Sequence, residues 1–549
     1  MGGHLSHLKA QQHSNSEVLE ASCGPVRGNS YQHGDKIVDG YLGIPYANPI
    51  QRFERAKLAE VWSNPRDCTK YGPICSQFGT FPEFELIRET KYKHFKVDDE
   101  NCLNLNVFTP RWENAEYIVS GRPVMVFIHG GAFEFGTSAA FNDYSISASL
   151  PLKDIILVTI NYRVGLFGFL TTATSECRGN FGLWDQILAL EWVQMHIRSF
   201  GGNPGNVTLF GQSAGAGSTD LLSLSPKSRH LFHKFVPMSG SAMCQFVLRR
   251  EHDSVEEYKN LAKHFGYTEK EDSSSLLEWF KTQPFEKLQN FKGYEKVTSG
   301  TLIFCPNMDG ELFPKKIDKL RQEAPPKPVI YGLCQLEGLM FAAGLTEVPK
   351  TVMQAVLKKS YKKDNIENPE EVREHVYDFY ANFKENDTDD SRRLVHFLGD
   401  QMFNVGVFEG ARNAAKHGNH VYVYCFEHFN PENEYGDFAN SLPFTNAATH
   451  STDLRYLLYE GEYAPFNPND EDKKIMEAMA TIFSNFAKYG NPNNVGTSYW
   501  TPINDQHPER HYRVALPKCE IRETFQNNRL EFLTNIVRDT STHKDLIDF

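Results

Sequence analysis

Short apolar runs alternate with amphipathic segments along most of the chain. "PVMVFIHGG" (123–131) and "DIILVTINYRVGLFGF" (154–169) are near-continuous apolar runs ended by glycine. Runs of this kind suit strands covered on both faces, as a parallel sheet requires. In "NFGLWDQILALEWVQMHIRSF" (180–200), Leu183, Ile187, Leu190, Val193 and Ile197 recur at helical spacing, which predicts an amphipathic helix. Strand, helix and strand joined by glycine turns predict a mostly parallel α/β sheet. Strand character returns in "PPKPVIYGLCQLEGLMF" (325–341) and "HVYVYCFEH" (420–428). "DEDKKIMEAMATIFSNFAKYGNPN" (470–493) reads as a helix stopped by Gly490 and Pro492. Residues 251–300, rich in Lys and Glu, read as a surface helical insertion. Residues 1–24 are polar and predict a flexible arm. Neither a repeat nor a linker divides the rest of the chain, so 25–540 reads as one large α/β domain and 541–549 as a short tail.

Composition narrows the partners. Of 549 residues, 40% are hydrophobic and 23% charged, as in globular proteins. With 57 basic and 69 acidic side chains the formal charge is −12, and no basic block offsets it. Such a chain repels phosphate backbones, which argues against nucleic acid as a partner. No run reaches the roughly 18 apolar residues of a membrane span. The polar N-terminus lacks the apolar stretch of a secretory signal, which predicts a cytoplasmic protein. Ten widely spaced cysteines show no metal-binding spacing. In a reducing compartment they are expected as free, buried thiols, and no metal or other cofactor is expected. Met1-Gly2-Gly3-His4-Leu5-Ser6 fits the pattern for myristoylation of Gly2. One acyl chain would give only weak, reversible peripheral attachment to a membrane.

The chemistry concentrates in "NVTLFGQSAGAGS" (206–218). Gly211-Gln212-Ser213-Ala214-Gly215 fits G-x-S-x-G between a strand and a helix, the context of a nucleophile on a sharp turn. Small neighbours are needed because the serine's backbone is strained there, and the helix behind it directs free N–H groups toward developing negative charge. Upstream, "FIHGGAF" (127–133) closes a buried strand. Gly130 and Gly131, with the N–H of Ala214, are candidate donors of an oxyanion hole. A bare turn motif explains each piece singly; their combination points to acyl transfer.

These stretches are similar to the type-B carboxylesterase family, which includes the cholinesterases. The likeness extends through "YLGIPYA" (41–47), "ENCLNLNVFTP" (100–110), "FGGNPGNVTLFGQSAG" (200–215), "MSGSA" (238–242) and "PNMDGELFP" (306–314). It covers roughly residues 25–540. The resemblance implies an α/β-hydrolase fold and a Ser…Glu…His triad in that chain order. The acid falls in Gly332-Leu333-Cys334-Gln335-Leu336-Glu337-Gly338, giving Glu337, and the histidine in "AATHSTDLRYLL", giving His450. Ser213 is then the nucleophile, His450 its general base and Glu337 the group that orients the imidazole. Ser239 matches a supporting position near the acid. His129 is expected to shape the oxyanion loop.

The family pattern is broken in places. Between Cys75 and Cys102 there is no tryptophan, which argues against a choline site. Those two cysteines match a family disulfide, but without a secretory signal the pair is expected to be reduced. The resulting expectation is a serine hydrolase of small to medium apolar carboxylic esters. Two alternatives stand beside it: an acyltransferase passing the same acyl group to a metabolite alcohol or amine, and a non-catalytic adhesion or scaffold protein.

Overall fold

The computed structural model describes residues 13–77, 92–268, 273–288, 302–342, 349–382, 390–433, 447–460, 466–493, 499–526 and 529–546. One thirteen-stranded sheet organises them. Its strands in chain order are β1 His13–Ala21, β2 Gly24–His33, β3 Lys36–Pro45, β4 Arg66–Asp67, β5 Asn104–Pro110, β6 Arg122–Ile128 and β7 Ile156–Ile160. They continue with β8 Gly202–Gln212, β9 Lys234–Met238, β10 Val329–Cys334, β11 Val421–Phe426, β12 His511–Val514 and β13 Glu520–Arg522. In space the order is β1-β2-β3-β5-β7-β6-β8-β9-β10-β11-β12-β13, with β4 beside β2.

From β7 to β12 every neighbouring pair is parallel. The flanking pairs β1–β2, β2–β3, β3–β5, β5–β7 and β12–β13 are antiparallel. This mixed sheet with helices on both faces is the α/β-hydrolase arrangement. The apolar runs explain the centre. All of β7, β10 and β11 is buried, and side chains of β6 alternate between two cores. Val124, Val126 and Ile128 join the helix Phe181–His196 on one face. Met125 and Phe127 join the helix Asp470–Tyr489 on the other. That second helix starts at a capping box between Asn469 and Asp472 and ends at Gly490, whose φ is 71°. The region 251–300 contributes helices Glu251–His264, Ser273–Thr282 and Phe285–Leu288.

Two expectations are corrected. The arm predicted over 1–24 is not irregular throughout, since residues 13–21 form β1, paired with β2 from His13↔Tyr31 to Ala21↔Gly24. "HSNSEVLEA" carries little apolar character because an edge strand is held by ladder hydrogen bonds, which leave no hydrophobic period to read. The second correction concerns thiols. Cys75 and Cys102 are bonded, their Cα atoms 4.8 Å apart, within the span a disulfide bridges. An argument from compartment says nothing about local approach, and here the approach decides. The other cysteines are free and all but Cys519 are buried. Among the described residues no helix is long and apolar enough to cross a membrane.

Candidate active site

The site forms where parallel strands end, the edge at which open α/β sheets gather functional loops. β8 stops at Gln212 and the helix Ala214–Leu224 begins one residue later. Ser213, between them, has φ 59° and ψ −121°, a conformation that L-residues rarely adopt. Its N–H donates to Met238 O at 2.8 Å and its carbonyl accepts from Gly217 N–H at 3.0 Å, which holds the turn. The flanking glycines are required by close approach. A Cβ on Gly211 would sit 2.4 Å from Gly215 O, and one on Gly215 would sit 2.1 Å from Ile128 O.

Glu337 lies in the loop after β10 and is fully buried. Its Oε1 accepts from the Ser239 hydroxyl and from Cys334 N–H, each at 2.6 Å, and its Oε2 meets His450 Nδ1 at 2.6 Å. A carboxylate only accepts, so Nδ1 carries the imidazole proton and Nε2 presents its lone pair. The two loops are tied by Leu336 N–H donating to Ala448 O at 2.9 Å and Met340 N–H to Thr449 Oγ1 at 3.0 Å. Phe403 and Phe341 pack on the His450 ring, with centroids 4.4 and 5.4 Å away. Nε2 itself faces Gln212 Nε2 at 3.1 Å. Among the described residues no hydrogen bond joins the Ser213 hydroxyl to the imidazole.

The loop after β6 touches the serine turn: a Cβ built on Gly130 would lie 3.1 Å from Ser213 Cβ. Among the described residues the N–H groups of Gly130, Gly131 and Ala214 have no hydrogen-bond partner, so all three are available to an oxyanion. The next N–H, that of Ala132, is equally without a partner among them. Gly131, Ala132 and Phe133 all have positive φ, at 102°, 55° and 58°, so the loop coils tightly here. Ala132 is thus a further candidate donor, one that a reading guided by glycines passes over. The His129 ring packs against this loop. Its Nδ1 lies 2.8 Å from Gly130 O, its ring stacks on Tyr162 with centroids 4.3 Å apart, and burial pushes its pKa down to about 4.

Asp453, three residues beyond His450 in the same "AATHSTDLRYLL" stretch, is given no role by sequence reasoning, because the motif singles out only the histidine. It is buried and accepts from the Tyr424 hydroxyl at 2.5 Å. Burial, and then the charge of Glu337, push its pKa up to about 6. Nothing short of the folded loop places Asp453 beside the acid. Gly2, the candidate acylation position, lies outside the described residues.

Ser213, Ser239, Glu337 and His450 come from four separate stretches of the chain, and the fold gathers them in one buried cluster. The model of the carboxylesterase family matches residues 15–533. Esterase cest-33 of Caenorhabditis elegans is 48% identical over 100% of this chain and 98% of its own length. The medium-chain fatty acyl-CoA hydrolase precursor of Anas platyrhynchos is 30% identical over 95% of this chain and 92% of its own. The juvenile hormone esterase of Tribolium castaneum is 30% identical over 90% and 87%.

Proposed function

The chain belongs to the carboxylesterase family, and from that membership we propose that it cleaves small to medium apolar carboxylic esters through an acyl-enzyme on Ser213. The observation that carries the reading is the 2.6 Å contact between Glu337 Oε2 and His450 Nδ1, which puts the imidazole proton on Nδ1 and leaves Nε2 as the basic nitrogen. Ser213 Oγ attacks the ester carbonyl as Nε2 takes its proton. Glu337 stabilises the imidazolium, and the N–H groups of Gly130, Gly131 and Ala214 receive the oxyanion. The imidazolium then protonates the leaving alcohol. Water, activated by the same base, releases the acid. Phe341 and Phe403 beside His450 favour an apolar acyl group. The medium-chain fatty acyl group in the name of the fatty acyl-CoA hydrolase relative is in keeping with this.

A fluorophosphonate probe tests the reading directly. It is expected to label Ser213, mapped by peptide mass spectrometry, and Ser213→Ala is expected to lose p-nitrophenyl ester turnover while keeping its circular dichroism. An intact folded protein that resists the probe, or a Ser213→Ala variant that still turns over, overturns it. Incubation with an acyl donor and alcohol or amine acceptors separates hydrolysis from transfer, since new conjugates accumulate only in the second case.

A further inference from the structure

The unconstrained letter of the G-x-S-x-G turn, Gln212, is the residue that meets the catalytic lone pair. Its side chain is buried, and its Nε2 stands 3.1 Å from His450 Nε2. Two nitrogens at that distance need one donor and one acceptor. Glu337 at 2.6 Å assigns the imidazole proton to Nδ1, so His450 Nε2 is the acceptor and the Gln212 amide donates. The other end of the amide is consistent: Gln212 Oε1 lies toward the oxyanion loop, 2.7 Å from where a Cβ on Gly130 would be. The amide therefore spans the space between the base and the loop, next to Ser213.

From this geometry we infer that Gln212 is a positioning residue that occupies the His450 lone pair in the free enzyme and must yield it to the Ser213 hydroxyl before acyl transfer. The inference rests on the Ser213–His450–Glu337 reading and adds a step to it. The resting contact holds the imidazole in the correct tautomer and keeps the serine hydroxyl unactivated. Productive binding exchanges one hydrogen bond, Gln212 N–H to Nε2, for another, Ser213 O–H to Nε2. No covalent bond changes in the exchange. The barrier includes the loss of the first bond, which a non-donating side chain would remove.

The test compares wild type, Gln212→Met and Gln212→Glu by the second-order rate of fluorophosphonate reaction at Ser213 and by the pH profile of ester kcat/KM. Methionine keeps the length and donates nothing, so Ser213 reaches the base unopposed. Phosphonylation is expected to speed up by about 2- to 10-fold, the fold-change of one net hydrogen bond. Glutamate accepts from Nε2–H and favours the imidazolium, so its acid limb is expected to move up in pH. A Gln212→Met variant that reacts at the wild-type rate or more slowly overturns the inference, because a purely structural glutamine predicts that result. If the methionine variant does not fold, Gln212→Glu decides, and an acid limb that stays in place overturns the inference. Wild-type protein unlabelled at Ser213 defeats the underlying reading instead, so the two failures are distinguishable.

Discussion

Glu337 and His450 stand 113 residues apart in the chain and 2.6 Å apart in the fold. The contact closes because β10 and β11 are parallel neighbours whose following loops leave the sheet on the same edge. Several expected outcomes depend on it.

Glu337→Gln keeps the size of the side chain but offers an amide that can donate toward the imidazole, so the wrong tautomer becomes available. Loss of the orienting carboxylate in such a triad costs on the order of a thousandfold or more in kcat. Steady-state ester kinetics check this, with unchanged thermal unfolding as the control for folding. A variant within tenfold of wild type would remove Glu337 from the mechanism.

Ser239→Ala deletes one of the three hydrogen bonds that Glu337 accepts. A bond to a charged acceptor contributes roughly 1.5–3 kcal/mol, while Cys334 N–H and His450 remain. We expect kcat to fall roughly tenfold or somewhat more, with KM little changed. A change carried by KM alone would mean that Ser239 acts on substrate binding.

Asp453 makes stability depend on pH. Its carboxyl titrates at about 6 in the folded protein, against 3.8 for an ordinary aspartate. Between those values the native state holds a proton that the unfolded chain has released. Stability from this group therefore falls as pH rises through the window, by about 3 kcal/mol at most. Asp453→Asn still accepts the Tyr424 hydroxyl. It is expected to leave stability at pH 4 nearly unchanged and to raise it by about 1–3 kcal/mol at pH 7.5. Urea unfolding at both values checks the difference, and a gain equal at both would rule out the titration.

Gly215→Ala places a Cβ 2.1 Å from Ile128 O and 2.7 Å from His129 O, both of them backbone. Neither atom can move without shifting the end of β6. A cost of about 4 kcal/mol or more, or failure to accumulate as soluble protein, is expected. Gly310→Ala is the contrast: its φ is 71° but open space surrounds it, so the backbone term of about 1–2 kcal/mol stands alone. Comparable losses at the two sites would mean that crowding at the turn is not what selects glycine.

The central strands were legible because β6, β7, β10 and β11 are apolar on both faces, and burial of that kind leaves a continuous run in the sequence. The serine turn was legible because its glycines are forced by backbone contacts that no other residue tolerates. β1 was not, since an edge strand of nine residues draws its stability from its partner's backbone. Gln212 and Ala132 sit inside recognisable motifs, yet the roles proposed for them depend on which way an amide and an N–H face, and spacing does not encode that. The resemblance named Cys75 and Cys102 as a pair, and only their expected reduced state failed, as cellular redox says nothing about the distance between two particular sulfurs.

The reacting groups proposed above are drawn from opposite halves of the chain, with Ser213 and the loop after β6 before the midpoint and Glu337 and His450 after it. Helices and hairpins form from near neighbours and regain their spectroscopic signals early, whereas closing loops of more than a hundred residues is slow. Ester turnover should then be among the last signals to return during refolding, making activity a stricter report of the completed fold than helix content.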